Sequence, residues 1–314
     1  VPGLVIAESA DETATKFVFS DSGITAQKGS YTGYKISDTA LTINESGIYE
    51  VSGSCSDGSI KVKKGTKGVT VILNGIELSS KDTAPICFNK SSEVTLTANA
   101  STVNTLSDSE LNNDENYSDN ENAENAVIKC KDGSSVKING SGTINITANG
   151  KNGIKSGETT EEDGEASLTV EDVTLNISAP VNDAVNAESL LNVKSGNIDI
   201  SAADDALHSD YKLIIGEENA QKTPVINISS CYEGLEGANI YIYSGDININ
   251  SSDDGINAAN SELEDYYFSM DILGGNIYVN AEKGDGLDSN GTLTVSRGTV
   301  NVFSTSSGAN SPLD

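Results

Sequence analysis

The chain has 314 residues, with 47 acids against 19 bases and a formal net charge of −28. That balance excludes nucleic acid and anionic membrane surfaces as partners, because phosphate binding needs clustered Lys and Arg. Trp is absent, 11 of the 16 aromatics are Tyr, and Gly, Asn, Ser and Thr abound, which fits a bacterial surface or extracellular all-β protein better than a cytosolic enzyme. No stretch reaches the ~20 apolar residues of a membrane span. No secretory leader is visible in a chain that begins at Val1, which leaves removal of one open.

Residues 1–50 read as an N-terminal cap with first strands: Phe17-Val18-Phe19, Ile24-Thr25 and Tyr34-Lys35-Ile36, broken by Gly-containing turns. From 51 to 314 the chain reads as one repetitive domain. Leu41-Thr42-Ile43, Ile48-Tyr49-Glu50-Val51, Ile60-Lys61-Val62 and Val69-Thr70-Val71-Ile72-Leu73 alternate apolar and polar residues as half-buried strands do.

A four-residue phrase then recurs: an acid or amide, a tiny residue, a large aliphatic, a polar residue. Its clear copies begin at Asn152, Asp183, Asp205, Glu233, Asp254 and Asp285, and weaker ones at Ala84 and Ala126. The aliphatic positions are 86, 128, 154, 185, 207, 235, 256 and 287, and their shortest spacings are 21 and 22 residues. Irregular self-similarity above a fixed floor is the signature of stacked coils, which lengthen a protein without thickening its core. The longest spacing contains residues 107–125, with seven acids and no base, expected to be a solvated loop; residues 157–166 form a second acidic insertion.

Each coil continues with a strand such as Val136-Lys137-Ile138 or Leu191-Asn192-Val193, a Gly turn, and a second strand such as Asn197-Ile198-Asp199-Ile200. Three short strands in about 21 residues predict an all-β, right-handed parallel β-helix of three sheets, with rungs about 4.8 Å apart. Aliphatics should face inward at period 2. The residue between them faces outward, giving the column Asn145, Asn176, Asp199, Asn227, Asn248, Tyr278 and Asn301, expected to be an amide ladder. Cys55, Cys87, Cys130 and Cys231 match no zinc motif and read as small core residues, with a Cys87–Cys130 disulfide left open.

These elements resemble the calcium-binding parallel β-helix carbohydrate-binding domains of secreted bacterial proteins. The likeness rests on the Asp-Gly-(Ile/Leu) phrases, the Ser-Gly-Asn-Ile-Asp-Ile strand at 195–200, Ser-Gly-Ile-Tyr-Glu-Val-Ser-Gly-Ser at 46–54 and Val-Ile-Leu-Asn-Gly-Ile at 71–76. It implies a fold related to family 9 polysaccharide lyases and binding of cellulose or polygalacturonate without cleavage.

The phrase stacks one side chain per rung. A first column holds Asn152, Asp183, Asp205, Glu233, Asp254 and Asp285; a second holds Lys155, Asn186, His208, Glu236, Asn257 and Asp288; a third includes Asp204 and Asp253. Asp-Gly is ordinary turn chemistry and explains one acid per turn. It does not explain a second acidic column or the doublets Asp204-Asp205 and Asp253-Asp254. Carboxylates stacked about 5 Å apart repel unless protonated or bridged by a cation. Ca²⁺, which takes oxygen ligands from carboxylates, amides and carbonyls, is the expected ion. The expected ligand windows are 183–210, 233–257 and 254–288, bringing in Asp210; His208 is either a ligand or a polar member of the ladder.

No nucleophile motif or phosphate loop is present, and no catalytic residue is assigned. A calcium-dependent pectate lyase is the alternative. It would need a base such as Lys155 or Lys129, and both lie two or more rungs from the 204–205 doublet. A surface adhesion solenoid is a third reading. Tyr241, Tyr243, Tyr266, Tyr267 and Tyr278 are candidate stacking platforms for sugar rings. The C-terminal Asn310-Ser311-Pro312-Leu313-Asp314 matches the phrase again, so further sequence or a partner is expected to cover that end.

Overall fold

The computed structural model describes residues 13–304 and 311–314, and every regular element among them is a strand. Two antiparallel pairs occur, Thr15–Ser20 with Gly23–Gln27 and Tyr34–Ser37 with Ala40–Ile43. The other ladders are parallel, so the protein is all-β with mostly parallel pairing.

The parallel strands form three ladders. The first carries the repeated phrase through Ser59–Val62, Ile86–Phe88, Ala126–Cys130, Asn152–Ser156, Val185–Ala187 and onward to Leu287–Ser289. Its register sets Ile60, Ile86, Ile128, Ile154, Val185, Leu207, Leu235, Ile256 and Leu287 in one row, each at most 2% exposed. The aliphatic column read from spacing is therefore a physical row, two rungs longer at its start, since buried Leu41 pairs with Ile60 in the same register. Leu313 joins Leu287 by a parallel bridge and stays exposed. Asn310, also part of that expectation, lies outside the described residues.

The second ladder runs from the first half of Val69–Ser80 through Glu93–Ala98, Ser135–Gly140, Ser167–Glu171 and Leu190–Val193 to Thr292–Val295. The third runs from the second half of Val69–Ser80 through Val103–Asp108, Thr143–Thr147, Val173–Ala179 and Gly196–Ala202 to Thr299–Ser304. Strand Gly47–Cys55 pairs with Thr15–Ser20 on one side and Val69–Ser80 on the other, so the first fifty residues and the parallel ladders share one strand.

The core is a stack of like on like. Ile144 and Ile146, Leu175 and Ile177, Ile198 and Ile200, Ile226 and Ile228, Ile247 and Ile249 repeat rung by rung, all buried. Each such side chain contributes about 1.5–3 kcal/mol on leaving water. The tiny residue of the phrase has a steric cause. A Cβ on Gly255 would lie 2.1 Å from Val279 Cγ1 and 2.5 Å from the Gly286 carbonyl oxygen, so first-ladder backbone rests directly on third-ladder side chains.

One question left open is answered and one expectation is corrected. All four cysteines are free and buried. Lys129 pairs with Cys87 and Cys130 with Phe88, so Cys87 and Cys130 stand one residue out of register, on opposite faces of the ladder, which rules out a bridge between them. The 107–125 loop is also more than solvated chain. Asn112 and Asn113 are buried, donating to the carbonyls of Ala126 and Gly150 at 3.0 and 2.9 Å. Asp108 accepts the N–H groups of Asn149 and Gly150 at 2.7 and 3.1 Å. These bonds satisfy backbone groups beside the neighbouring strands and pin the loop down.

Candidate functional site

The phrase fixes its acids through the backbone. The N–H of each tiny residue donates to the next acid's carbonyl: Ala184 to Asp205 at 2.9 Å, Ala206 to Glu233 at 3.0 Å, Gly234 to Asp254 at 3.2 Å, Gly255 to Asp285 at 2.9 Å. The carboxylates repeat the pattern. Asp183 Oδ1 accepts the Asp205 N–H at 3.1 Å, Asp205 Oδ1 that of Glu233 at 3.3 Å, and Asp254 Oδ1 that of Asp285 at 2.6 Å. Asp285 accepts from Ser311 in the same way. One carboxylate oxygen of each Asp is thus a stitch between rungs, and the second oxygen is left for other partners.

Stacking these groups in a half-dry strip disturbs their titration. Burial, then Asp205, pushes Asp183 up to about 6. Burial pushes Asp205 up to about 6 as well, with Glu236 adding to it and His208 opposing. Burial, then Glu236, pushes Glu233 up to about 8. Asp254 rises to about 6 through burial, with Asp253 and Asp288 adding, against its bond from Asp285. Asp204 and Asp288 are raised by burial and, in both, by a neighbouring carboxylate. Like charges in low dielectric produce this pattern, and a divalent cation would reverse it.

His208 is the counter-charge inside the strip. Its Nδ1 faces Asp205 Oδ2 at 3.1 Å and also Glu236, and its Nε2 faces Asp210 Oδ1 at 2.8 Å. Burial works against an imidazolium here. Hydrogen bonds to three carboxylates outweigh it and lift the histidine to about 12. Asp205 is raised even beside that cation, because burial and Glu236 exceed the lowering by His208.

Two groups of potential ligands converge, with their donor atoms within 4.8 Å of one another: Asp183, Asp204 and Asp205, and Asp205, His208 and Glu236. Asn186 donates Nδ2 to Asp183 at 2.7 Å, and Asn257 donates Nδ2 to Glu233 at 3.0 Å. In both amides the buried Oδ1 has no hydrogen-bond partner. A buried acceptor left unpaired costs about 1–3 kcal/mol. Carboxylate and amide oxygens with spare lone pairs are a donor set that fits a hard cation of the calcium type. Asp210 reaches the site through His208. Asp253, Asp254, Asp285 and Asp288 continue the strip on later rungs without forming such a three-ligand group among the described residues.

The amide column falls in one register, Asn145, Asn176, Asp199, Asn227, Asn248, Tyr278 and Asn301. Asn176 donates to Asn145 at 2.8 Å, Asn227 to Asp199 at 3.0 Å, and Asn248 to Asn227 at 3.2 Å. The candidate tyrosines do not share a face. Tyr241 and Tyr243 are half-buried, Tyr241 on the second ladder and Tyr243 just after it. Tyr266 and Tyr267 lie in the 259–268 connection, and Tyr278 sits on the third ladder with its ring centroid 5.3 Å from that of Phe303. Tyr211 escaped the sequence reading. It is exposed and packs edge-to-face on Tyr266, centroids 6.2 Å apart. Its place three residues after His208, at the corner where the phrase ends, was the available signal.

Parallel ladders, a strip of buried and half-buried acids and a polar outer ladder define a class of repetitive, mostly parallel all-β proteins. Within that class, the chain belongs to the carbohydrate-binding domain-containing protein family, whose sequence profile matches residues 37–225 and 220–312. A carbohydrate-binding domain-containing protein of Acetivibrio thermocellus is 29% identical over 147 residues, 46% of this chain and 49% of that one, so the chain matches about half of that relative's length. The solved polysaccharide lyase-like protein from C. thermocellum, a gadolinium derivative, superposes with a TM-score of 0.54 at 20% identity, covering 96% of this chain and 97% of the other. That second likeness is one of fold.

Proposed function

We propose that this protein is a right-handed parallel β-helix outside a bacterial cell that binds plant cell-wall polysaccharide without cleaving it and holds calcium in its acidic strip. Family membership supports the carbohydrate ligand, and the three parallel ladders support the helix. The calcium reading is carried by one observation: the unpartnered, buried Oδ1 of Asn186 beside Asp183, Asp204 and Asp205. Asp183, Asp204, Asp205 and Asn186 would hold one ion, and Glu233, Glu236, Asn257, Asp253 and Asp254 a second. Bound calcium would neutralise the strip and offer a bridge to acidic sugars, which the net charge of −28 otherwise repels.

Binding is favoured over cleavage because a lyase needs a free proton acceptor beside the cation. Lys155 is held by Glu188 at 2.8 Å, and Lys129 stands two rungs from Asn186. The test is retention on insoluble cellulose and on polygalacturonate gel, with calcium and with chelator, alongside an ultraviolet assay for unsaturated uronides. Retention without unsaturated product is expected, with polygalacturonate binding lost in chelator. Release of unsaturated product, abolished in Lys155→Ala, would replace this reading with the enzyme.

A further inference from the structure

The corner between the first and second ladders is not uniform. On the rung of Asn152–Ser156 it is filled by residues 157–166, and on the rung of Ile256–Ala258 by residues 259–268, ten residues each. Between them the corner is flush. Val185–Ala187 and Leu190–Val193 are two residues apart, and strands Leu207–Ile215 and Leu235–Ile242 turn it without a break. Two flaps therefore stand on either side of three flush rungs, about 10 Å from first to last. A cleft of about 1160 Å³ is lined by both flaps and by residues 188–190 and 210–212 of the first two of these rungs, reaching past the first flap to Glu93 and Ser135.

Both flaps are built rather than draped. The first closes on itself through a Thr160–Gly164 antiparallel bridge, and its buried Asp163 is clamped by Lys64 at 2.8 Å and Lys90 at 3.1 Å. Those two cations hold the Asp163 carboxyl below the usual carboxylate range. The second is tied to the floor: Asn260 donates to the Asp210 carbonyl and Tyr266 donates its hydroxyl to Asn239 Oδ1, both at 2.8 Å. Tyr211 sits on the floor, 45% exposed, its ring braced edge-on by Tyr266 at 72°. Acidic side chains lining the cleft outnumber basic ones seven to two.

We propose that this cleft binds a neutral glycan laid between the two flaps over the rungs of Glu188 and Tyr211, with Tyr211 as the stacking platform for a sugar ring. The proposal rests on the carbohydrate-binding reading and assigns a place and a charge class to it. A ring held by a neighbour and open on one face offers a flat apolar surface at little entropic cost. Carboxylates such as Glu188 and Asp210 accept hydrogen bonds from sugar hydroxyls, whereas the same acidic field repels a uronate. A concave site with one aromatic face and a few convergent polar groups is the usual form of a small-ligand pocket.

The experiment is calorimetric titration of the full chain with neutral cello- and xylo-oligosaccharides and, separately, with oligogalacturonides. Wild type is compared with Tyr211→Ala, Tyr211→Phe and Tyr278→Ala, each checked for an unchanged melting temperature. Affinity for a neutral oligosaccharide should fall about tenfold or more in Tyr211→Ala and stay near wild type in Tyr211→Phe and Tyr278→Ala. Wild-type affinity in Tyr211→Ala, with loss in Tyr278→Ala, would move the site to the third ladder, overturning the cleft while leaving the carbohydrate reading intact. Oligogalacturonide binding that depends on Tyr211 would overturn the charge class. Wild type binding no saccharide in solution or on insoluble polysaccharide would overturn both.

Discussion

Asp254 Oδ1 accepts the backbone N–H of Asp285, its counterpart one rung further on, at 2.6 Å. The same carboxylate is crowded by Asp253 and Asp288 and pushed up to about 6, burial being the largest cause. It is therefore both a stitch and a member of the charged strip, and substitution separates the two. Asp254→Asn keeps an acceptor for the stitch and should melt close to wild type in chelator, whereas Asp254→Ala should lose about 1 kcal/mol. In calcium, both should show a smaller ion-induced rise than wild type, whose gain is about 2.7 kcal/mol at a hundredfold excess of ligand over Kd. Identical melting of wild type in calcium and in chelator would end the metal proposal.

His208 supplies the positive charge shared by Asp205, Asp210 and Glu236. Removing one partner of a buried ion pair costs about 3–5 kcal/mol because the other charges stay behind. His208→Gln should therefore be strongly destabilised in chelator. If calcium substitutes for the lost imidazolium, part of that loss should return on adding the ion. Denaturant melts of both proteins in both buffers measure it, and a His208→Gln variant as stable as wild type in chelator would contradict the assigned role.

The strip also sets a pH dependence. Asp183, Asp205 and Asp254 titrate near 6 against 3.8 for an unperturbed group, and Glu233 near 8 against 4.5. Between these values the folded chain binds protons that the unfolded chain does not. His208, at about 12 against 6.5, acts in the same direction above 6.5. Stability should then rise as pH falls from 8 towards 5 in chelator. Calcium, which favours the ionised carboxylates, should flatten or invert that slope. A chelator curve that falls monotonically from pH 8 to 5 would contradict the pattern.

Gly255 tests the contact between ladders. An added methyl would meet Val279 Cγ1 at 2.1 Å and the Gly286 carbonyl oxygen at 2.5 Å. Gly255→Ala should cost about 1–3 kcal/mol by overpacking. Adding Val279→Ala should recover part of this, because it removes the clashing methyl, and a double-mutant cycle reads the coupling. Additive losses in the two variants would show that the contact is not the cause.

Periodicity alone determined the rows. A buried aliphatic every rung and a polar residue between two inward ones are forced by the two-residue pleat, so Ile128, Ile154, Val185 and Leu207 align by counting, as do Asn145, Asn176 and Asn227. The acid columns were legible for the same reason. The tertiary structure decided what counting cannot see, the direction of side chains and the shape of corners. It gave one oxygen of each stacked Asp to the next rung's N–H, and it turned His208 into a counter-ion by setting three carboxylates around it. It placed Cys87 and Cys130 on opposite faces through a one-residue offset in register. It scattered the expected tyrosines over separate faces and put Tyr211 on the floor of a cleft, because two insertions far apart in sequence stand only a few rungs apart in space. Stacking brings residues about twenty apart in sequence within one strand spacing, and only the folded chain shows which loops rise on either side of such a stack.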